Sequence, residues 1–340
     1  MTVLVTGGAG YIGSHTVHAL VDAGEGVVVL DNLSTGFATA LPKQMLPIVG
    51  DVADQALVAS LIENYRVEAI IHFAGSTIVP ESTKDPLGYY GNNTVNSRAL
   101  IETAVKGGVR HFIFSSTAAV YGNPARVPVA EDDPTVPLSP YGWSKLMTEI
   151  MLRDASAAHG LGHVALRYFN VAGADPQLRT GLSTPGATHL IKVAVEAALG
   201  AQIDVYGSDY PTPDGTCVRN FIHVSDLARA HLAALNYLRT GGASTTLNCG
   251  YGRGYSVREV LDAGRSAVGH AFAVNFCARR PGDIMVSVAA ANRIRELLDW
   301  TPELDDLDAI VGHALAWEGH LIAQSKLPQG DRRFREAVSA

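Results

Sequence analysis

Thr2-Val3-Leu4-Val5-Thr6-Gly7-Gly8-Ala9-Gly10-Tyr11-Ile12-Gly13 is the stretch that decides the fold. A short β-branched run ends in a glycine-rich turn, and a helical pattern follows. Gly7 serves the tight turn. Gly10 permits close approach of the backbone to a pyrophosphate, and Gly13 permits helix–strand packing. The helix N-terminus offers free N–H groups to the anion. A second β-branched run, 27–30, ends in Asp31, 18 residues after Gly13. A carboxylate there accepts from a ribose 2′-hydroxyl and repels a 2′-phosphate, so the pattern predicts NAD over NADP. Gly50-Asp51-Val52 follows another short strand and is placed to hold the adenine edge, with Asp51 alternatively a helix cap. Phe73-Ala74-Gly75 ends a strand on the side where ligands bind in such sheets.

Working outward, apolar runs recur at 69–73, 111–114 and 164–168, separated by helix-length segments near 12–23, 54–64, 81–106 and 141–160. Continuous apolar strands between helices predict a parallel sheet covered on both faces. The fold class is α/β: a Rossmann doubly wound parallel sheet with a smaller C-terminal α/β substrate-binding region. Residues 1–170 are expected to bind NAD, with later segments returning to that domain. Residues 171–325 are expected to bind the substrate, and 326–340 form a charged tail. Loops rich in Pro and Gly are expected at 122–140, 172–187 and 207–216.

The chain has 340 residues, 47% hydrophobic and 17% charged, which suits a globular protein with a sizeable core. A formal charge of −7 argues against nucleic acid as the main partner. Cys217, Cys249 and Cys277 show no ligand spacing and read as free thiols in a reducing cytoplasm. The first strand begins at once, with no secretion signal, and no run reaches membrane-spanning length. Asn92-Asn93-Thr94 therefore reads as a chance sequon. His15 and His18 read as packing residues, not metal ligands, and no metal is expected.

Ser139-Pro140-Tyr141-Gly142-Trp143-Ser144-Lys145 reads as a helix start, with Ser139 as N-cap and Pro140 in the first turn. Tyr141 and Lys145 then share one face. The helix dipole and the lysine are expected to lower the Tyr141 pKa and favour a phenolate base. Thr117, closing the run Phe114-Ser115-Ser116-Thr117, can share a substrate hydroxyl.

Taken together, the glycine loop, Asp31, Ser115-Ser116-Thr117, Tyr141-x-x-x-Lys145 and Arg167-Tyr168-Phe169-Asn170 resemble the extended short-chain dehydrogenase/reductase family. Val120-Tyr121-Gly122, Asp209-Tyr210-Pro211-Thr212, Arg219-Asn220-Phe221-Ile222-His223 and Arg279-Arg280-Pro281-Gly282-Asp283 narrow this. They are similar to the UDP-glucose 4-epimerase family, over roughly residues 1–320.

The resemblance implies reversible C4 epimerisation of a UDP-sugar on tightly bound NAD, through a 4-keto intermediate. Tyr141 would move the proton, Thr117 would share the 4-hydroxyl, and Lys145 would hold the nicotinamide ribose. Cofactor contacts are implied for Gly7, Gly10, Tyr11, Ile12, Gly13, Asp31, Asn32, Ser34, Asp51, Val52, Phe73, Ala74, Gly75, Asn92, Ser115, Tyr168 and Phe169. Nucleotide-sugar contacts are implied for Asn170, His189, Leu190, Arg219, Arg280, Asp283 and Ser287. Thr77, Asn220 and Phe221 depart from the family pattern. A small Ser287 leaves room beside the sugar C2 substituent, so N-acetylhexosamines are also expected to fit. The family implies a homodimer through helices within 81–107 and 141–160.

Three rivals use overlapping parts. A UDP-pentose or UDP-uronate 4-epimerase would keep the same catalytic residues. A net NAD-dependent oxidoreductase would exchange its cofactor. A non-catalytic scaffold would need neither Tyr141 nor Lys145. A 4,6-dehydratase is disfavoured because Ala118 and Ala119 cannot transfer protons.

Overall fold

The computed structural model describes residues 1–280 and 283–325. The expected charged tail, 326–340, lies outside the described residues, as do Pro281 and Gly282. The first half runs β1 (Thr2–Thr6), α1 (Tyr11–Asp22), β2 (Gly26–Asp31), β3 (Ile48–Val49), α2 (Gln55–Tyr65) and β4 (Val67–His72). Next come α3 (Val79–Lys84), α4 (Pro86–Tyr89), α5 (Asn96–Lys106), β5 (His111–Ser115), α6 (Pro140–His159), β6 (Gly162–Tyr168) and β7 (Asn170–Ala172). The second half runs α7 (Leu190–Ala198), β8 (Ile203–Tyr206), β9 (Val218–Arg219), β10 (Phe221–His223), α8 (Val224–Arg239) and β11 (Thr245–Cys249). It ends with β12 (Tyr255–Ser256), α9 (Val257–Val268), β13 (Val274–Cys277), β14 (Val286–Ser287), α10 (Asn292–Leu298) and α11 (Leu307–Ser325).

Seven strands form one sheet in the order β11-β6-β5-β4-β1-β2-β3, all paired in parallel. The order reverses between β1 and β4. That switch point opens a crevice at the carboxyl ends of the strands. The strands are buried on both faces. Val3 and Val5 of β1 join the core on one side, under α1, α7 and α8, while Leu4 joins the other, under α2, α5 and α6. Ile113 against Phe112 and Phe114 repeats this on β5.

One feature departs from the expected pattern and another makes an expectation specific. The segment expected as one helix near 81–106 is broken. Pro86 ends α3 at Asp85, whose carboxylate caps Gly88 at 3.0 Å, and a π-helical turn over Tyr90–Val95 precedes α5. The sheet also takes in β11 from far beyond residue 170, in line with the expectation that later segments return to this domain, though the strand itself was not singled out. Its Thr245, Thr246 and Asn248 dilute the apolar signal that marked the other strands.

Beyond the main sheet lie three small ones: β10-β7, β12-β9-β14 and β13-β8. They carry Asn170 on β7, Arg219 on β9 and Ser287 on β14. Among the described residues, no helix is long and apolar enough to cross a membrane.

Candidate active site

The glycine loop is built as its sequence requires. Gly7 has φ +70°, and a Cβ there would lie 2.5 Å from the Ala74 backbone nitrogen. A Cβ on Gly13 would lie 2.1 Å from the Gly7 carbonyl oxygen. Gly10 is the N-cap of α1, and no side chain caps the helix there. Its first-turn N–H groups are thus left to an anion. Asp31 is buried at the end of β2, where one carboxylate oxygen accepts from Ala9 N at 2.9 Å and the other from Leu33 N at 2.8 Å. Each oxygen keeps a second lone pair for a ribose hydroxyl. A glycine cradle that no side chain can fill, an uncapped helix start and this carboxylate fit NAD.

The neighbouring candidates converge on the same rim. Asn32 reaches Asp51 at 3.5 Å, and Asp51 accepts from Ala53 N at 2.8 Å. Asp54, not Asp51, caps α2. Asn92 donates to Ser76 Oγ at 2.9 Å, just past Phe73-Ala74-Gly75. Ser115 Oγ is bonded to the Tyr168 hydroxyl. Phe169 packs against Val120, Tyr121, Val129 and Leu146.

Ser139 caps α6 as expected, accepting from Gly142 N at 3.2 Å. Tyr141 and Lys145 are both buried on that helix, 8% and 3% exposed. Lys145 Nζ donates to Ser115 O at 3.0 Å and sits 5.0 Å from the Phe114 ring centre. Burial lowers its pKa to about 8. The expected lowering of the Tyr141 pKa is not found. Burial pushes the phenol above its usual value, and the Thr117 hydroxyl beside it opposes this in part. Desolvation of the buried phenol is the larger influence, and it outweighs what the sequence expected from charge and helix dipole.

The sugar-side residues gather less tightly. Asn170 Nδ2 donates to Asn220 O at 3.1 Å. His189, exposed, precedes α7 and with Leu182, Tyr11, Gly173 and Lys192 lines a cleft beside Asn170's strand. Leu190 opens α7 and is partly buried. Arg219 Nη1 donates to Ile284 O at 2.6 Å, and its Nη2 lies 3.8 Å from Asp283. Ser287 on β14 pairs in register with Arg219 on β9. Arg280 stacks on the Tyr206 ring, its guanidinium carbon 3.7 Å from the centroid. Asn220 is buried and donates to Arg253 O at 2.6 Å, while Phe221 is a core residue.

With these positions in hand, residues 3–250 match the NAD dependent epimerase/dehydratase family. The chain belongs to this family. It is 56% identical over 333 residues to a UDP-glucose 4-epimerase of Azospirillum brasilense, covering 96% of each chain. It is similar to the crystal structure of UDP-glucose 4-epimerase from Brucella ovis in complex with NAD. There the TM-score is 0.90 and the identity 43%, covering 93% of this chain and 97% of that one. The UDP-Glc/GlcNAc 4-epimerase of Campylobacter jejuni gives a TM-score of 0.83 and 47% identity, covering 94% and 99%.

Sequence reading passed over three residues of this epimerase/dehydratase site. Asn93 is buried and spans the rim: its Oδ1 accepts from Ser76 N at 2.7 Å, and its Nδ2 donates to Ser144 Oγ on α6 at 3.0 Å. Glu149 lies one turn beyond Lys145 and is buried against Arg167. Tyr206 carries Arg280. None has a local signature; the i,i+4 continuation from Lys145 was the one available hint for Glu149.

Proposed function

We propose that this chain is a UDP-glucose 4-epimerase, an isomerase that interconverts UDP-glucose and UDP-galactose on tightly bound NAD. The observation that carries the reading is the buried Thr117–Tyr141 pair with Ala118 and Ala119 beside it. This is equipment to move one proton on one hydroxyl, with nothing to expel water. Tyr141 takes the proton of the sugar 4-hydroxyl and later returns one to the opposite face. Thr117 shares that hydroxyl and steadies the developing charge. Lys145 holds the nicotinamide ribose and keeps a cation on the Tyr141 face. When bound, NAD accepts and returns the C4 hydride and, oxidised, brings a positive charge that opposes the raised Tyr141 pKa.

Residues 1–170 and the returning segments form the NAD half. The region 171–325 holds the nucleotide sugar, with Arg219 and Arg280 on the diphosphate and Asp283 on the uridine ribose. Among the described residues no carboxylate pairs with Arg280, which leaves its charge for a phosphate. The protein works as a cytoplasmic homodimer. Exposed Trp143, Met147 and Ile150 on one stripe of α6, with Leu87 and Val95 nearby, support that interface. One observation favours a wider substrate range: Ser287 is small where some family members carry a tyrosine, and the chain is 47% identical to a UDP-Glc/GlcNAc 4-epimerase.

The test is direct. Purified protein is mixed with UDP-glucose and no added cofactor, and UDP-galactose is sought by NMR. Product should form, and NAD should be released on denaturation. No product, or product only as NAD is consumed, overturns the assignment. Absence of turnover with UDP-N-acetylglucosamine removes the wider range alone.

A further inference from the structure

Tyr141, Lys145 and Glu149 follow at four-residue spacing along the buried face of α6. Glu149 is only 6% exposed, and both of its carboxylate oxygens accept hydrogen bonds. Arg167, on β6, donates Nε to Oε1 at 2.9 Å and Nη2 to Oε2 at 2.6 Å. Ser116 Oγ donates to the same Oε1. The remaining arm of Arg167 points elsewhere. Its Nη1 donates to the Tyr121 hydroxyl at 2.9 Å and to Glu131 O at 3.4 Å. The guanidinium lies 4.9 Å from the Tyr121 ring centre, and Tyr121 in turn donates to Asn248 on β11 at 2.7 Å.

Thr117 lies between the two anchor points. Ser116 precedes it, and Tyr121 ends the turn over Ala118–Tyr121 that Thr117 caps. One ion pair therefore grips both ends of the Thr117 segment and the helix that carries Tyr141. Stability alone is a poor reason for it. A buried ion pair loses much of its attraction to desolvation, and a well-packed apolar pair is often as stable or more so. An apolar pair cannot supply directed bonds to β6, α6, the segment just past β5 and the Tyr121 turn at once.

We propose that Glu149 and Arg167 are a positioning pair that sets Thr117 against Tyr141 for the proton transfer at C4. The proposal rests on the C4-epimerase reading. A misplacement of about 1 Å at reacting groups costs on the order of 100-fold in rate, so the pair acts through kcat and not through substrate affinity.

The test uses the full chain with its bound NAD. Glu149→Gln keeps the shape and one acceptor but removes the charge. It should lower kcat about 10- to 100-fold, with KM for UDP-glucose within about threefold of wild type. The primary isotope effect with C4-deuterated UDP-glucose should rise, because hydride transfer becomes limiting. Ser116→Ala cuts only the link to the segment just past β5 and should lower kcat about threefold or more with the melting temperature unchanged. The double variant Glu149→Leu/Arg167→Met should regain thermal stability without regaining kcat. Recovery of kcat together with stability in the double variant overturns the proposal. So does a kcat loss in Glu149→Gln that merely tracks lost NAD, or full kcat in Ser116→Ala. Wild-type protein is the control: if it fails to interconvert the two sugars, the functional reading fails instead.

Discussion

The glycine loop and the Arg219–Asp283 corner are both proposed to hold phosphates, yet they are built in opposite ways. The loop is backbone, continuous over 6–13, and closed by contacts that admit no Cβ at Gly7 or Gly13. The corner is side chain, assembled from β9, β14 and the end of β8, and Arg280 there is exposed. A backbone site is fixed by chain geometry and tolerates almost no substitution. A side-chain site trades rigidity for adaptable charge.

The largest break is expected at neither region but at the proton carrier that both are proposed to serve. Tyr141→Phe should lower turnover at least about 1,000-fold while NAD stays bound, measured by NMR conversion and by NAD content. Full activity in this variant would refute Tyr141 as the proton carrier. The next break is in the loop. Gly13→Ala forces a methyl against the Gly7 carbonyl and should cost about 3 kcal/mol, with NAD lost on purification. Retention of stoichiometric NAD and an unchanged melting curve would show that the loop gives way after all. In the corner, Arg280→Ala should raise KM for UDP-glucose about 10- to 100-fold with kcat and NAD content little changed. An unaltered KM removes Arg280 from the diphosphate site.

The smallest effect per residue comes from acid, and it falls on buried histidines of both halves. Burial lowers the pKa values of His72 and His223 to about 3, and of His15, His163 and His231 to about 4. The unfolded chain binds protons near 6.5 and the folded chain does not, so this stability is present above pH 6.5 and is lost as pH falls toward the folded values. Going from pH 7 to 6 should cost about 0.7 kcal/mol per histidine, read by denaturant titration at each pH. Equal stability at both would mean that these rings titrate normally.

The legibility of the chain follows the same divide. The loop, Asp31 and the Ser139–Pro140 helix start were readable because each is a local backbone requirement with its own residue signature. Thr117, Tyr141 and Lys145 were readable as a set because their motifs together resemble a known family; spacing alone showed only that Tyr141 and Lys145 share a helix face. β11 was not, since Thr245, Thr246 and Asn248 are polar and their burial comes from pairing with β6. Asn93 was hidden behind Asn92, because only the π-helical turn over Tyr90–Val95 decides which of the two points inward. The Tyr141 pKa was misjudged for a related reason. Charge and dipole are visible in a sequence, whereas desolvation is not.

By itself, then, the sequence determined the parallel sheet, the NAD loop and the Tyr141–Lys145 pair, all consequences of short-range sterics and periodicity. Tertiary structure alone decided that β11 joins the sheet, that Lys145 donates to the Ser115 carbonyl, and that burial raises the Tyr141 pKa. It also joined Glu149 to Arg167 behind the pair. These depend on which side chains are driven out of water together, and that is set by packing between segments far apart in the chain.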